Sequence, residues 1–142
     1  MESASLIHSL HQMSHAVKID SCAARLGIVQ DVLVEVNVSG EASKSGVSPS
    51  DALEFVRSCC SLPNVRVRGF MTMAPQGDLA VATETFDGLA RLSEQVRSSI
   101  SADDAAVFNE LSMGMSEDWK EGVRAGATIV RIGRAIFSDS FE

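Results

Sequence analysis

The stretch Asp31-Val-Leu-Val-Glu-Val-Asn-Val38 alternates its side chains with a period of two residues, which predicts a β-strand. One face of this strand carries valine alone, at positions 32, 34, 36 and 38. The other face begins with Leu33 and becomes polar at Glu35 and Asn37, toward the carboxyl end. A continuous valine face has to be covered, so we expect a second layer of structure to pack on this strand.

Strands and helices alternate along the chain on either side of this stretch. The predicted strands lie at about 6–10, 31–38, 65–73, 107–111 and 128–132. The predicted helices lie at about 11–26, from 49 to just before Pro63, at 82–100 and at 117–125. Such alternation predicts an α/β fold with a parallel sheet covered by helices. An open doubly wound sheet and a piece of a (β/α)8 barrel both fit this order. The first strong strand is not followed by G-x-G-x-x-G, which weakens a dinucleotide-binding interpretation.

Composition excludes several classes of protein. The 142 residues suit one domain, at 1–142, and the 45% of hydrophobic residues excludes wholesale disorder. A formal net charge of −7 leaves no basic surface for nucleic acid. No apolar run approaches the ~20 residues of a membrane helix, and the first residues do not read as a secretion signal. We therefore expect a soluble, intracellular protein.

Candidate binding segments follow from the rule that sites in parallel α/β folds gather at the carboxyl ends of strands. Four segments lie there: 37–46, 71–77, 112–116 and 131–134. Gly114 and Gly133 let a backbone approach a ligand closely, and Ser112 and Ser116 add hydroxyl groups. The free N–H groups of a following helix favour an anion, so the pattern is typical of a phosphate site. The plainer alternative is that Gly133 ends a strand and Ser116 caps a helix.

Strand parity adds a second indication. Arg131 shares a strand face with Gly133, Glu35 shares one with Asn37, and Ser112 has Glu110 on its own face. Polar side chains on one face near strand ends indicate the lining of a ligand site rather than a packed core. Arg131 would donate hydrogen bonds to a ring nitrogen or a phosphate while keeping its charge.

Other groups of residues give weaker signals. The histidines at 8, 11 and 15 have spacing that suits zinc, but no H-E-x-x-H motif surrounds them, so surface or core-edge histidines are the default interpretation. Lys44 lies in a loop of small residues, where it either reaches a ligand or is solvated.

Several stretches, in order, resemble the pyridoxal-phosphate homeostasis protein family (YggS/PROSC type). They are Leu-Ile-His-Ser at 6–9, Val-Asn-Val-Ser-Gly-Glu-Ala-Ser-Lys-Ser-Gly at 36–46, Val-Arg-Gly-Phe-Met-Thr-Met-Ala-Pro at 67–75, Leu-Ser-Met-Gly-Met-Ser at 111–116 with Asp118, Ala-Gly-Ala-Thr at 125–128, and Val-Arg-Ile-Gly-Arg-Ala-Ile-Phe at 130–137. Together they cover essentially the whole chain.

The resemblance implies a partial (β/α)8 TIM barrel of the alanine-racemase N-terminal type, spanning about strands four to eight. It implies a cytoplasmic protein that binds pyridoxal 5′-phosphate (PLP) in vitamin B6 homeostasis and is not an enzyme. By the family pattern the phosphate is held by Ser112, Met113, Gly114, Gly133 and Arg134, and Arg131 lies near the pyridine ring. Asn37 and Ser116 are possible lining residues. Arg134 departs from the small hydroxyl residue common at its position in the family.

The resemblance begins near strand four, so we expect a truncated chain without the early strand whose lysine forms the Schiff base with PLP. Lys18, Lys44 and Lys120 do not match that lysine, and noncovalent binding is expected. Exposed strand edges would pair with a second copy or with a complementing N-terminal segment, and the chain alone would be marginally stable. The alternatives are a fragment of a PLP-dependent racemase or decarboxylase-like enzyme, and a nonfunctional fragment.

Overall fold

The computed structural model of the chain describes residues 6–40 and 45–132. In chain order its elements are β1 (Ile7–Leu10), α1 (Met13–Leu26), β2 (Gln30–Glu35), a 3-10 turn (Pro49–Asp51), α2 (Ala52–Cys60), β3 (Val65–Met71), α3 (Leu79–Arg97), α4 (Ala102–Val107), β4 (Glu110–Met115), α5 (Trp119–Ala125) and β5 (Ile129–Arg131). None of the helices within these ranges is long and apolar enough to cross a membrane.

The five strands form one sheet in the order β1-β2-β3-β4-β5, and every neighbouring pair is parallel. The predicted parallel α/β fold is therefore confirmed. Strand order also separates the two architectures that the sequence left open. A doubly wound sheet reverses its strand order at a switch point, whereas a barrel adds each strand beside the previous one. The sequential order here is that of a half-barrel.

The valine face of β2 forms the centre of the core. Val32, Val34 and Val36 are buried, and they belong to one hydrophobic cluster with Val56 of α2 and Phe86 of α3. The strand ends earlier than predicted, at Glu35, because the chain after this residue turns to a different partner. The Val36 N–H donates to Met71, but the Asn37 N–H donates to the carbonyl of Val47.

The predicted strand at 107–111 lies further along the chain, because the sequence analysis missed a short helix. Helix α4 begins after Ser101, whose hydroxyl accepts from the Asp104 N–H and caps the helix. Strand β4 therefore starts only at Glu110, and the segment 112–115, expected in a loop, belongs to the strand. Ser112 is consequently held by parallel pairing to β3 and β5, and Met113 and Gly114 are buried beside it.

The strands β3 and β4 approach each other closely at a glycine. Val32 pairs with Val67 and Leu33 pairs with Gly69, which leaves Arg68 as the extra residue of a β-bulge. Gly69 has a φ of +150°, and a Cβ atom on it would overlap the carbonyl oxygen of Glu110. The register of β4, and with it the position of Ser112 and Met115, depends on this close contact of two backbones.

We expect Gly69→Ala to lower the free energy of unfolding by about 2–4 kcal/mol, since it adds a steric overlap to an unfavourable φ. Gly77→Ala is the matched control, because Gly77 also has a positive φ, +89°, but nothing lies within 4 Å of the position that its Cβ atom would occupy. That substitution should lower the free energy of unfolding by only about 1 kcal/mol. Equilibrium urea unfolding measures both, and equal losses for the two variants would contradict the close contact.

Candidate functional site

A cavity of about 310 Å³ opens at the carboxyl ends of β3, β4 and β5. Its lining residues come from the segment after β3, from the end of β4 and the turn that follows it, and from β5: Ala74, Gln76, Met115, Ser116, Glu117, Asp118 and Arg131. Three of the four segments selected from the sequence, 71–77, 112–116 and 131–134, therefore contribute to one cavity.

Arg131 is the central cation of this cavity. It pairs with Met115 at the edge of β4, and its Nη2 atom reaches past that strand to donate to the carbonyl oxygen of Thr72 at 2.8 Å. Its Nε atom is buried and has no hydrogen-bond partner among the described residues. The Nη2 side of the guanidinium is thus held by the Thr72 carbonyl, whereas the Nε–H group has no acceptor among the described residues.

Two buried carboxylates surround the charge of Arg131. Glu35, at the end of β2, is only 4% exposed, and Asp118 is only 6% exposed. Burial lowers the pKa of the Arg131 guanidinium from its ordinary value, while Glu35 and Asp118 act in the opposite direction and favour the charged form. Arginine stays protonated in proteins, so the cavity presents a partly desolvated cation.

Asp118 also builds the turn between β4 and α5. Its Oδ1 atom accepts from the Met115 N–H at 2.7 Å, and its own N–H donates to the Met115 carbonyl at 3.2 Å. Helix α5 therefore begins at Trp119 rather than at Glu117, and it ends at Gly126 as predicted. The sequence analysis did not identify this role of Asp118, for which an acidic residue three positions after Met115 is the only local signal.

Ser112 lies fully buried on β4, and its Oγ atom is 3.1 Å from Nδ1 of His8 on β1. Strands β2 and β3 separate β1 from β4 in the sheet, so this hydrogen bond crosses the inside of the half-barrel. Burial, and secondarily the charge of Arg131, lower the pKa of His8 from 6.5. The sequence analysis assigned His8 to a strand but missed its place beside Ser112 and Arg131.

The glycine at 114 has a different immediate contact from the one expected. Gly114 has a φ of +107°, and a Cβ atom on it would lie 3.0 Å from the backbone Cα of Trp119. On the facing side of this contact, a Cβ atom on Gly122 of α5 would lie 2.6 Å from the Met113 carbonyl oxygen of β4. The observed close approach at Gly114 is therefore between strand β4 and helix α5. The Met113 side chain is fully buried in the hydrophobic core, so only its backbone can reach a ligand.

The remaining predicted residues divide into two groups. Asn37 is half-buried, and its side-chain oxygen accepts from the Gly40 N–H at 3.1 Å and from Ser39, within its own loop. It is not among the described residues that line the cavity. Gly133, Arg134 and Lys44 lie outside the described residues.

The histidine spacing that suggested zinc does not produce a site in the described part of the chain. Helix α1 begins at Met13, so His11 precedes the helix and His15 lies within it. Residues 6–40 and 45–132 hold no group of three His, Cys, Asp or Glu side chains suited to a metal ion.

Comparison with known proteins identifies what this chain is similar to. The family described as "Alanine racemase, N-terminal domain" matches residues 1–140. The pyridoxal phosphate homeostasis protein of Aquifex aeolicus is 40% identical over 134 residues, which cover 94% of this chain and 58% of that protein. The chain thus spans little more than half the length of this curated relative. The resemblance inferred from the sequence motifs is confirmed.

Two solved structures share the architecture. A protein of unknown function from Bifidobacterium adolescentis superimposes with a TM-score of 0.87 at 35% identity, covering 94% of this chain and 53% of that one. PipY of Synechococcus elongatus, solved with PLP bound, superimposes with a TM-score of 0.79 at 28% identity, covering 92% of this chain and 59% of that one. The half-barrel is therefore a recurring arrangement of this sequence type.

We expect Asp118→Ala to lower the free energy of unfolding by about 1–2 kcal/mol, because the Met115 N–H loses its buried acceptor. Asp118→Asn is the matched control, since its side-chain carbonyl oxygen still accepts this bond, and it should cost less. Thermal unfolding followed by circular dichroism compares the variants. An alanine variant as stable as the native chain would contradict the assigned role of Asp118.

Proposed function

The chain belongs to the alanine racemase N-terminal domain family, and we propose that it binds PLP in vitamin B6 homeostasis and does not catalyse a reaction. The observation that carries the proposal is Arg131, which lines the cavity at the carboxyl ends of the strands and whose buried Nε has no hydrogen-bond partner among the described residues. Two findings support the choice of ligand: the Aquifex relative is named a pyridoxal phosphate homeostasis protein, and PipY was solved with PLP bound.

The residues of the cavity fit this ligand. A buried N–H without an acceptor costs about 1–3 kcal/mol, so Arg131 favours a ligand that brings an acceptor atom to it. A ring nitrogen and a phosphate oxygen are both such acceptors, and PLP contains both. The Thr72 carbonyl holds the guanidinium in one orientation, and Glu35 and Asp118 keep it charged.

We assign the phosphate end of the ligand to Ser112, Gly114 and the backbone of Met113, together with Gly133 and Arg134 from the segment after β5. Arg131 contacts the pyridine ring, Ser116 lines the cavity, and Asn37 supports the neighbouring loop. PLP, when bound, supplies an electron-withdrawing ring and a reactive aldehyde. The chain supplies a partly desolvated cation and walls that restrict water.

Binding by this chain is noncovalent in our proposal. Lys18 on α1 and Lys120 on α5 are exposed, and neither lines the cavity. Affinity then rests on phosphate and ring contacts alone, and inorganic phosphate should compete with PLP.

We expect Arg131→Ala to weaken PLP binding by roughly 5-fold to 150-fold, which corresponds to losing a charged hydrogen bond worth about 1–3 kcal/mol. Absorbance titration with PLP measures the dissociation constant, and a thermal melt verifies that the variant is folded. Arg124→Ala is the matched control, because Arg124 is an exposed arginine on α5 paired with Glu121, and it should leave affinity unchanged.

Three results would count against the proposal. Unchanged affinity of the Arg131 variant would remove Arg131 from the site. A stable absorbance band of a lysine adduct would show that binding is covalent. Racemisation or decarboxylation of amino acids by the PLP-loaded chain would favour the enzyme alternative.

We further propose that residues 1–142 form one partial-barrel domain, corresponding to about strands four to eight of a complete barrel. The sequential strand order and the share of the Aquifex relative that is covered support this assignment. Within the described residues β1 pairs only with β2, and β5 only with β4. Open parallel edges accept strands from another chain, so a partner is expected at β1 or β5.

Sedimentation analysis at several concentrations tests this partner. We expect a concentration-dependent dimer, because a second copy covers the open edges. A chain that stays monomeric and compact at all concentrations would contradict the dimer.

A further inference from the structure

We propose that His8 is a positioning residue that sets the direction of the Ser112 hydrogen bond, so that a protonated His8 makes the Ser112 hydroxyl a donor to an anionic ligand. This inference rests on the proposed function, because that proposal assigns Ser112 to the phosphate end of the ligand. It adds a residue from the opposite edge of the sheet and a dependence of binding on pH.

The geometry restricts what the Ser112 hydroxyl can do. Ser112 is fully buried, and its Oγ atom lies 3.1 Å from Nδ1 of His8. The Ser112 carbonyl is engaged separately, since it accepts from the Thr72 N–H. Among the described residues, His8 is the hydrogen-bond partner of this hydroxyl.

This restriction assigns the proton on the neutral ring. A buried O–H group that does not donate is costly, and His8 Nδ1 is the acceptor within reach. Neutral His8 therefore carries its proton on Nε2 and accepts from Ser112 at Nδ1. In this state Ser112 offers a ligand only oxygen lone pairs, which suit an anion poorly.

Protonation reverses the hydrogen bond. With both ring nitrogens protonated, Nδ1–H donates to Ser112 Oγ, and the Ser112 O–H is released to donate elsewhere. A phosphate oxygen is the acceptor that would use it. The change requires no movement of either side chain, since a hydroxyl oxygen accepts and donates at the same distance.

The charges around His8 determine the pH at which the ring is protonated and the hydrogen bond reverses. Arg131 on β5 acts on His8 directly, and together with burial it lowers the pKa of the imidazole, so the ring is neutral at pH 7. Glu35 at the end of β2 and Asp118 before α5 act on Arg131. An anion in the cavity offsets Arg131 and thereby raises the pKa of His8. Linkage is reciprocal, so anion binding strengthens as the pH falls through the titration of His8.

Histidine ring NMR with sulfate as the probe tests this directly. Sulfate keeps two negative charges across about pH 5 to 8, the range in which histidine titrates, whereas a phosphate monoester titrates near pH 6. We expect sulfate to raise the pKa of His8 and to leave the ring signals of His15, on the exposed face of α1, unchanged. The nitrogen shifts should also show the Nε2-protonated form at high pH. An Nδ1-protonated neutral ring, or a His8 pKa that sulfate does not move, would overturn the inference.

Variants separate this positioning role from a purely structural one. His8→Asn keeps a hydrogen-bonding group near the position of Nδ1 but cannot titrate, so it should bind sulfate with an affinity that no longer depends on pH. The native chain and the His15→Asn control should both bind roughly threefold to tenfold more tightly at pH 5.5 than at pH 8. His8→Phe should bind weakly at every pH, and a thermal melt verifies its folding.

The outcomes distinguish this inference from the proposed function. If sulfate and PLP bind in an Arg131-dependent manner but His8→Asn keeps the native pH dependence, the inference about His8 is wrong and the proposed function stands. If neither sulfate nor PLP binds the native chain at any pH, both are wrong.

Discussion

Burial of the valine face of β2 is the constraint on which the rest of the structure depends. Val32, Val34 and Val36 are covered by α2 and α3, and this requires the helices to lie together on one side of the sheet. With every connection returning to that side, each new strand is added beside the previous one. The opposite face of the sheet is thereby curved inward, and its side chains converge toward the inside of the half-barrel.

That inner face explains why the site is polar. Glu35, Ser112 and Arg131 occupy inward positions on three strands, and His8 joins them from a fourth. Each is partly desolvated, so each needs a charge or hydrogen-bond partner. Ser112 and His8 bond each other, Glu35 accepts from the Ser45 hydroxyl, and Nη2 of Arg131 donates to the Thr72 carbonyl. The Nε of Arg131 is the one buried side-chain nitrogen of the described residues without a partner. Among these four side chains, the unpartnered nitrogen thus belongs to the residue that lines the cavity.

Local signals in the sequence were sufficient wherever one residue and its near neighbours determine the outcome. Alternation located β2, helical spacing located α3 with Phe86 and Leu89 on its buried face, and Gly126 ended α5. Strand parity predicted that Arg131 and Ser112 lie on polar strand faces, and in the structure both side chains interact with His8. The helix α4 was missed because six residues are too few to show a helical periodicity. The predicted start of β4 was displaced as a result.

The sequence by itself determined the parallel α/β class, the family resemblance and the arginine at the centre of the site, because these depend on periodicity and on motif residues close in the chain. Only the tertiary structure decided between a doubly wound sheet and a half-barrel, and only it brought His8 within hydrogen-bond distance of Ser112, 104 positions away. The physical reason is that strand order and sheet curvature arise from the packing of the helical layer as a whole. A local sequence pattern therefore does not indicate which inward-facing side chains, distant in the chain, will come into contact.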